Sequence, residues 1–330
     1  MSTNKTNQLD FVKVWSDRMN GSHKTLDERE FSVTELLKDA TAITLKRRHS
    51  NEIELDVQDL ADINAGTAVH ESIEQDAEKL GWITEFELGT IVFDSEHAFN
   101  LYGKGDFYRD GVLCDLKNTK EATYNKNRFA NDVDLFKNEW QTQLTAYSAL
   151  LYDLKPDWFV GVDKMLIEAR ITDLSVVGNA KKGESTDKWR LIEFPAPTQE
   201  QRQKVIDGFC EKVNEVIALE NVSDEELPIC SEEYRFASSV WKIYGFVKGT
   251  TNLKATAERG HANYATEEEA NEAFKNAGFT ENDHKVKKVG GESIKCKYYC
   301  DCKDFCPHYR KMMEEELRKR ETINGTVQNA

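Results

Sequence analysis

The stretch Gly103-Lys-Gly-Asp-Phe-Tyr-Arg-Asp-Gly-Val-Leu-Cys-Asp-Leu-Lys117 decides the fold. Phe99, Leu101, Gly103, Gly105 and Phe107 alternate with other residues, which is the period of a strand. Asp110-Gly111 then supplies the pair that a type I′ turn requires, because both central residues take positive φ. A hairpin centred there sets Arg109 opposite Val112, Tyr108 opposite Leu113 and Phe107 opposite Cys114. Continued outward, it sets Asp106 opposite Asp115 and Lys104 opposite Lys117. Side chains alternate along a strand, so Asp106, Asp115 and Lys117 share one face. Directly opposed Cβ atoms lie about 4.5–5.5 Å apart, and like charges at that distance destabilise a sheet. A divalent cation between them turns the repulsion into ligation, and hard oxygen ligands suit Mg²⁺ or Mn²⁺. A lysine beside them can orient a water or meet phosphate charge. The plain alternative is a solvated strand face of mixed charge.

Helices are expected on both sides of this hairpin. From Asp59 to Leu80, Val69, Ile73, Ala77 and Leu80 recur at helical spacing. From 132 to 152, Leu135, Phe136, Trp140, Leu144, Tyr147 and Leu151 make a broad apolar face, and Pro156 ends the helix. Ser32 or Thr34 caps a helix start, and Thr198 caps one that runs to about Leu219. Trp158–Ile171 and Trp189–Phe194 read as strands, with a polar turn over Gly178–Asp187. The expected organisation is a lead-in over 1–30, an α/β core over 31–230 and a C-terminal region over 231–330. That last region holds a helix near Thr266–Ala277.

Asp106 followed by Asp115-x-Lys117 resembles the bipartite motif of the PD-(D/E)XK nuclease superfamily, with Gly105 where a proline often precedes the first acid. Gly66-Thr-Ala-Val-His70 resembles the Gly-x-x-x-His helix motif of the RecB-like exonuclease branch. Gln143-x-x-x-Tyr147 resembles its Gln-x-x-x-Tyr motif. The three lie in the expected order within residues 60–155. The resemblance implies a restriction-endonuclease-like core, a mixed sheet flanked by helices, and metal-dependent hydrolysis of DNA by a phage-type exonuclease. It implies Asp106 and Asp115 as ligands for Mg²⁺ or Mn²⁺, His70 as a further ligand and Lys117 as the residue that positions water. Glu74, Gln143 and Tyr147 are then supporting residues. The plain alternative for His70 is a surface histidine paired with Glu74, one turn along the helix. Lys120, Lys126 and Arg128, with Tyr124 between, could track a phosphate backbone or belong to a solvated loop.

Seven cysteines are present, and four fall in Cys296-x-x-x-Cys300-x-Cys302-x-x-x-Cys306. Thiolates this crowded suggest a reducing compartment and a local Zn²⁺ or iron–sulfur site, with His308 as a substitute ligand. Cys114, Cys210 and Cys230 read as core residues.

The chain has 330 residues and a formal net charge of −15. That balance argues against a protein that coats nucleic acid by charge. From Lys285 to Arg320, however, the basic residues outnumber the acidic ones. No apolar run is long enough for a membrane span, and Met1–Gln8 has no apolar core of a secretory leader. A cytoplasmic protein is expected, in the host if phage-encoded, with DNA as partner and other DNA replication or recombination proteins as further candidate partners. The alternative function is a non-catalytic DNA-binding or assembly protein with a structural zinc site.

Overall fold

The computed structural model describes residues 29–53, 57–93, 97–129, 135–183, 185–237, 239–246, 253–256, 263–281 and 283–327. The chain divides into two compact units, Met1–Val222 and Ser223–Ala330. The expected lead-in lies outside the described residues save for its end, where Glu30 opens a strand.

The first unit is a mixed α/β layer structure. Its sheet has six strands: β1 (Glu30–Ser32), β2 (Ile83–Phe93), β3 (Ala98–Arg109), β4 (Val112–Thr119), β5 (Lys164–Ile171) and β6 (Trp189–Pro195). β2 pairs antiparallel along one edge of β3. The other edge of β3 is divided. β1 takes Asn100–Tyr102 in parallel, and β4 takes Phe107–Arg109 antiparallel. β5 then runs parallel to β4, and β6 antiparallel to β5.

The turn between β3 and β4 has φ 48° at Asp110 and 84° at Gly111, both left-handed as a type I′ turn demands. A Cβ on Gly111 would also come 2.4 Å from Asp163 Oδ2. Arg109, Tyr108 and Phe107 face Val112, Leu113 and Cys114 as the turn predicts. The ladder stops there. Asp106 and Asp115 are not paired residues, nor are Lys104 and Lys117: β4 parts from β3 after Cys114 but stays paired with β5 along its whole length, with Asp115 opposite Ile167.

Six helices matter to the site or its packing: α1 (Ala40–Arg48), α2 (Val57–Lys79), α3 (Glu121–Phe129), α4 (Glu139–Leu154), α5 (Gln199–Leu219) and, in the second unit, α6 (Glu267–Asn276). α4 begins on an Asn138 cap and ends at Lys155, whose φ of 46° closes it just before Pro156. α5 starts with a reciprocal capping box between Thr198 and Gln201. One face of the sheet packs on α4 and α5 through Leu113, Met165, Ile167, Leu144, Leu151, Val205 and Phe209. Burying each such side chain contributes roughly 1.5–3 kcal/mol. On the other face, Val69, Ile73 and Ala77 of α2 pack on Phe107, Cys114 and Leu116. β4 is therefore covered on both sides, and its residues 113–116 are all buried.

Some expectations need correction. Leu80 does not complete the α2 stripe; it lies past the helix end and is 68% exposed. The polar turn expected at 178–187 contains a helical segment, Val176–Lys182, capped by Ser175 and closed by left-handed Gly183. The helix expected over 132–152 begins at Glu139, behind a 3₁₀ turn at Leu135–Lys137. Phe107 does not share a core with Phe99 and Leu101, because the strand changes sides between them.

The second unit holds a three-stranded antiparallel sheet in the order β8 (Leu253–Thr256), β7 (Val240–Phe246) and β9 (His284–Val289). α6 packs on it. Two helical segments follow, Ile294–Tyr298 and Pro307–Val327. Among the described residues no helix is long and apolar enough to cross a membrane.

Candidate active site

The end of the β3–β4 ladder makes the site. Where a backbone carbonyl of β3 would continue the pairing, the Asp106 carboxylate does so instead: Oδ2 accepts the Leu116 N–H at 2.8 Å. This side chain props the two strands apart. His70 comes down from α2 into the opening, with Nε2 3.3 Å from Asp106 Oδ2 and 3.3 Å from the Leu116 carbonyl oxygen. Its Nδ1 lies 3.7 Å from Glu85 Oε1 on β2. His70 thus turns to Asp106 and Glu85, not to Glu74. The Asp106 hydrogen bond pushes the imidazole pKa up to about 9, against burial and with help from the charges of Asp106 and Asp115 and the Leu116 carbonyl.

Glu85 is a residue the sequence reading missed. The register places it across from Asp106, between the pairs Thr84–Phe107 and Phe86–Gly105, yet those two residues form no ladder pair. Its φ is 48°, which costs a non-glycine residue on the order of 1–3 kcal/mol. The same place marks a reversal of faces. Phe86, Leu88 and Val92 point into the main core on β2, while Trp82 points to the α2 side. On β3, Phe99, Leu101 and Tyr108 belong to the main core, while Phe107 belongs to the α2 side. Both strands change parity across the Glu85–Asp106 position. A reading that assumes unbroken alternation assigns Glu85 to an ordinary solvent face. Glu85 also holds an ion pair with Lys104, whose amine pKa is raised by that bond and by the charges of Glu74 and Glu87.

Asp115 and Lys117 lie on one face of β4, as alternation predicts. Asp115 is 2% exposed. Burial pushes its carboxyl pKa up to about 6; Lys117 opposes the rise and the Asp106 charge adds to it. Lys117 Nζ stands 2.7 Å from Asp115 Oδ2 and also donates to Gln143 Oε1 at 2.9 Å. Oδ2 therefore has the Lys117 ammonium as its partner, in a charge-assisted contact that helps keep the carboxyl ionised. Oδ1 accepts from Gln143 Nε2 at 3.1 Å, and the same nitrogen meets Tyr147 Oη at 2.9 Å. The i, i+4 spacing on α4 puts Gln143 and Tyr147 on one side of the helix. Burial pushes the Tyr147 phenol pKa up. Gly103 makes room for that ring, since a Cβ there would sit 2.6 Å from Tyr147 Cε1.

Ligand atoms of His70, Glu85 and Asp106 lie within 4.8 Å of one another. Two carboxylates and an imidazole are a donor set that could hold a divalent cation. The buried Asp115 carboxylate, whose charge is felt by both Asp106 and His70, is a further candidate oxygen. Glu74 sits one turn from His70 and reaches the site through its charge on Lys104.

The cysteine segment is less closely gathered. Cys300 and Cys302 have their sulfurs 3.5 Å apart. No three of the four expected sulfurs lie within 4.8 Å of one another. A tetrahedral zinc with Zn–S bonds of ~2.3 Å needs edges of about 3.8 Å, so the four as placed do not form that set. They are neighbours nonetheless. Burial and the charges of Cys300 and Cys306 push the Cys296 thiol pKa up to about 11. The Cys302 hydrogen bond lowers the Cys300 pKa to about 7. Arg235 ties the preceding turn to this segment, donating to the Cys230 carbonyl at 2.7 Å and to Ser293 Oγ at 2.8 Å. His308 Nε2 is buried without a hydrogen-bond partner.

No family model and no curated protein matches this chain. Among solved structures it is similar to SSO0001, with 16% sequence identity over 64% of this chain and 86% of that one, at a TM-score of 0.41. The reading of the site therefore rests on the residues of this chain.

Proposed function

We propose that this chain is a metal-dependent deoxyribonuclease of the PD-(D/E)XK type, an exonuclease of the RecB-like branch. One observation carries the reading: a fully buried Asp115, ion-paired with Lys117, stands beside the His70–Glu85–Asp106 group. His70, Glu85, Asp106 and Asp115 would hold Mg²⁺ or Mn²⁺. That cation, when bound, supplies Lewis acidity at the scissile phosphate. Lys117 orients the attacking water and meets the charge that grows on the phosphate. Gln143 fixes the ammonium of Lys117 through its carbonyl oxygen and fixes Asp115 through its amide. Tyr147 holds the Gln143 amide in that orientation. His70 must give up a proton before it can act as a ligand, because Asp106 keeps it charged near neutrality.

The C-terminal cysteines would hold an iron–sulfur cluster, in which each thiolate binds its own iron, or a zinc ion if three of the sulfurs draw in. Metal content after aerobic and anaerobic purification separates the two. The partner is DNA, in a cytoplasmic setting, alongside other replication or recombination proteins. The test is cleavage of an end-labelled linear duplex in Mg²⁺ or Mn²⁺, with EDTA as control. Cleavage by wild type and none by Asp115→Ala supports the reading. Wild-type-level cleavage by Asp115→Ala refutes it. DNA binding without cleavage by wild type favours the non-catalytic binding protein instead.

A further inference from the structure

The sheet of the second unit separates its charges. β7, β8 and β9 contain Lys242, Lys254, Lys285, Lys287 and Lys288 and no aspartate or glutamate. The whole chain, by contrast, carries 59 acidic residues against 44 basic ones. α6 opens with Glu267, Glu268 and Glu269.

The register decides which side chains face away from α6. Ile243 is fully buried and pairs with Val286, and Gly245 pairs with His284. Phe279, just past α6, stacks on His284 at 3.7 Å. The helix therefore covers the face of Ile243 and His284. Alternation puts Lys242, Tyr244, Lys285 and Lys287 on the opposite face. Lys242 stands directly across from Lys287, and Tyr244 directly across from Lys285. Like charges directly opposed weaken a sheet, and an anion lying over them removes that penalty.

We propose that this outer face is a platform for single-stranded nucleic acid. Tyr244 stacks a base, and Lys242 and Lys287 take phosphates. A half-buried aromatic ring flanked by lysines, on the sheet face away from α6, suits a splayed strand, whose bases are free to stack, better than a duplex, whose bases are already stacked. The inference rests on the nuclease reading only for the identity of the polymer as DNA.

The experiment measures anisotropy of a labelled single-stranded oligonucleotide against the full chain, in EDTA, over a salt series. Cleavage plays no part in the signal. Lys242→Gln with Lys287→Gln should flatten the log–log salt slope by about 1.4, at ~0.7 per phosphate on single strands. If the two lines meet near ~1 M salt, that is about 25-fold weaker binding at ~0.1 M. Thermal stability of this pair should hold or rise, since an opposed like-charge pair is gone. Tyr244→Leu should weaken binding at least about fivefold with the salt slope unchanged. Unchanged affinity and slope in the folded variants would overturn the proposal, as would absence of single-strand binding by wild type. Equal losses on duplex and single strand would overturn the single-strand assignment. A wild type that binds in this way but cleaves nothing in Mg²⁺ or Mn²⁺ leaves the platform standing and removes the nuclease reading.

Discussion

Replacing Lys117 by Met isolates what the lysine does for Asp115. The Asp115 carboxyl has an ordinary value of 3.8 and is held at about 6 in the fold. A carboxyl raised on folding binds its proton more tightly in the native state. Its ionisation therefore opposes folding: native stability from this group falls as pH rises from 3.8 to about 6, then levels. The gap is worth on the order of 3 kcal/mol, at about 1.4 kcal/mol per pH unit. Without Lys117 the main influence lowering the carboxyl is gone, and the group stays protonated to higher pH. The levelling then comes later. The extra cost in Lys117→Met is small at pH 6 and grows above it, by at most about 1.4 kcal/mol per pH unit, until the carboxyl of the variant itself ionises. A pH-independent loss of about 1 kcal/mol is added, because Gln143 Oε1 loses its donor. Urea unfolding in EDTA at several pH values, followed by tryptophan fluorescence, measures the difference. The difference should grow above pH 6, by up to tenfold in the folding constant per pH unit. A difference that stays flat from pH 5.5 to 8.5 would show that Lys117 acts by packing alone, and the charge argument for the site would fail.

Three further outcomes are expected. Metal binding should release a proton from His70 at any pH below about 9 and weaken by up to tenfold per unit as pH falls; calorimetry with Mn²⁺ in two buffers of different ionisation heat reads this, and no proton release at pH 7 removes His70 from the ligand set. Glu85→Gln should lower Mn²⁺ affinity about tenfold or more while changing the melting temperature little, since Glu85 is ion-paired with the exposed Lys104 and stands 3.7 Å from His70 Nδ1; equal affinity in the variant would exclude Glu85. Gly105→Ala should destabilise the first unit by about 1–3 kcal/mol, because its Cβ would meet Phe86 Cζ at 2.2 Å and that ring is packed on Trp158 at 5.3 Å; urea midpoints check this, and a neutral result would mean that Phe86 can turn aside.

How far the sequence speaks depends on whether local rules survive the tertiary structure. The Asp110-Gly111 turn fixes three ladder pairs because its backbone geometry is local. It does not fix the fourth, where a side chain, Asp106, takes the place of the backbone as partner to Leu116. Lys117 beside Asp115 is legible because residues two apart on a strand share a face. Glu85 is hidden because the reading extends one parity across a point where both strands reverse it. The helix at Val176–Lys182 is short and polar, so no apolar stripe announces it; Ser175 before it and Gly183 after it are the signals that were there to use. The cysteine spacing indicates crowding but not distance, and the sulfurs of Cys300 and Cys302 are the pair the fold brings together.

The reversal of faces at Glu85 and Asp106 has a consequence for how freely this site can change. In an unbroken strand every position belongs to the dry side or the wet side, and a carboxylate in mid-sheet must be either buried at great cost or surrendered to bulk water. At a crossing point a residue belongs to neither side. Glu85 is half-buried next to buried Phe86, and Asp106 is half-buried between buried Gly105 and Phe107. Substitutions at 85 can alter chemistry without disturbing hydrophobic packing on either layer, whereas those at 106 must also replace the acceptor for the Leu116 N–H. One-residue insertions or deletions on either strand act the other way: they move the crossing point along the sheet, carry a phenylalanine into the polar opening and leave the acids in a core.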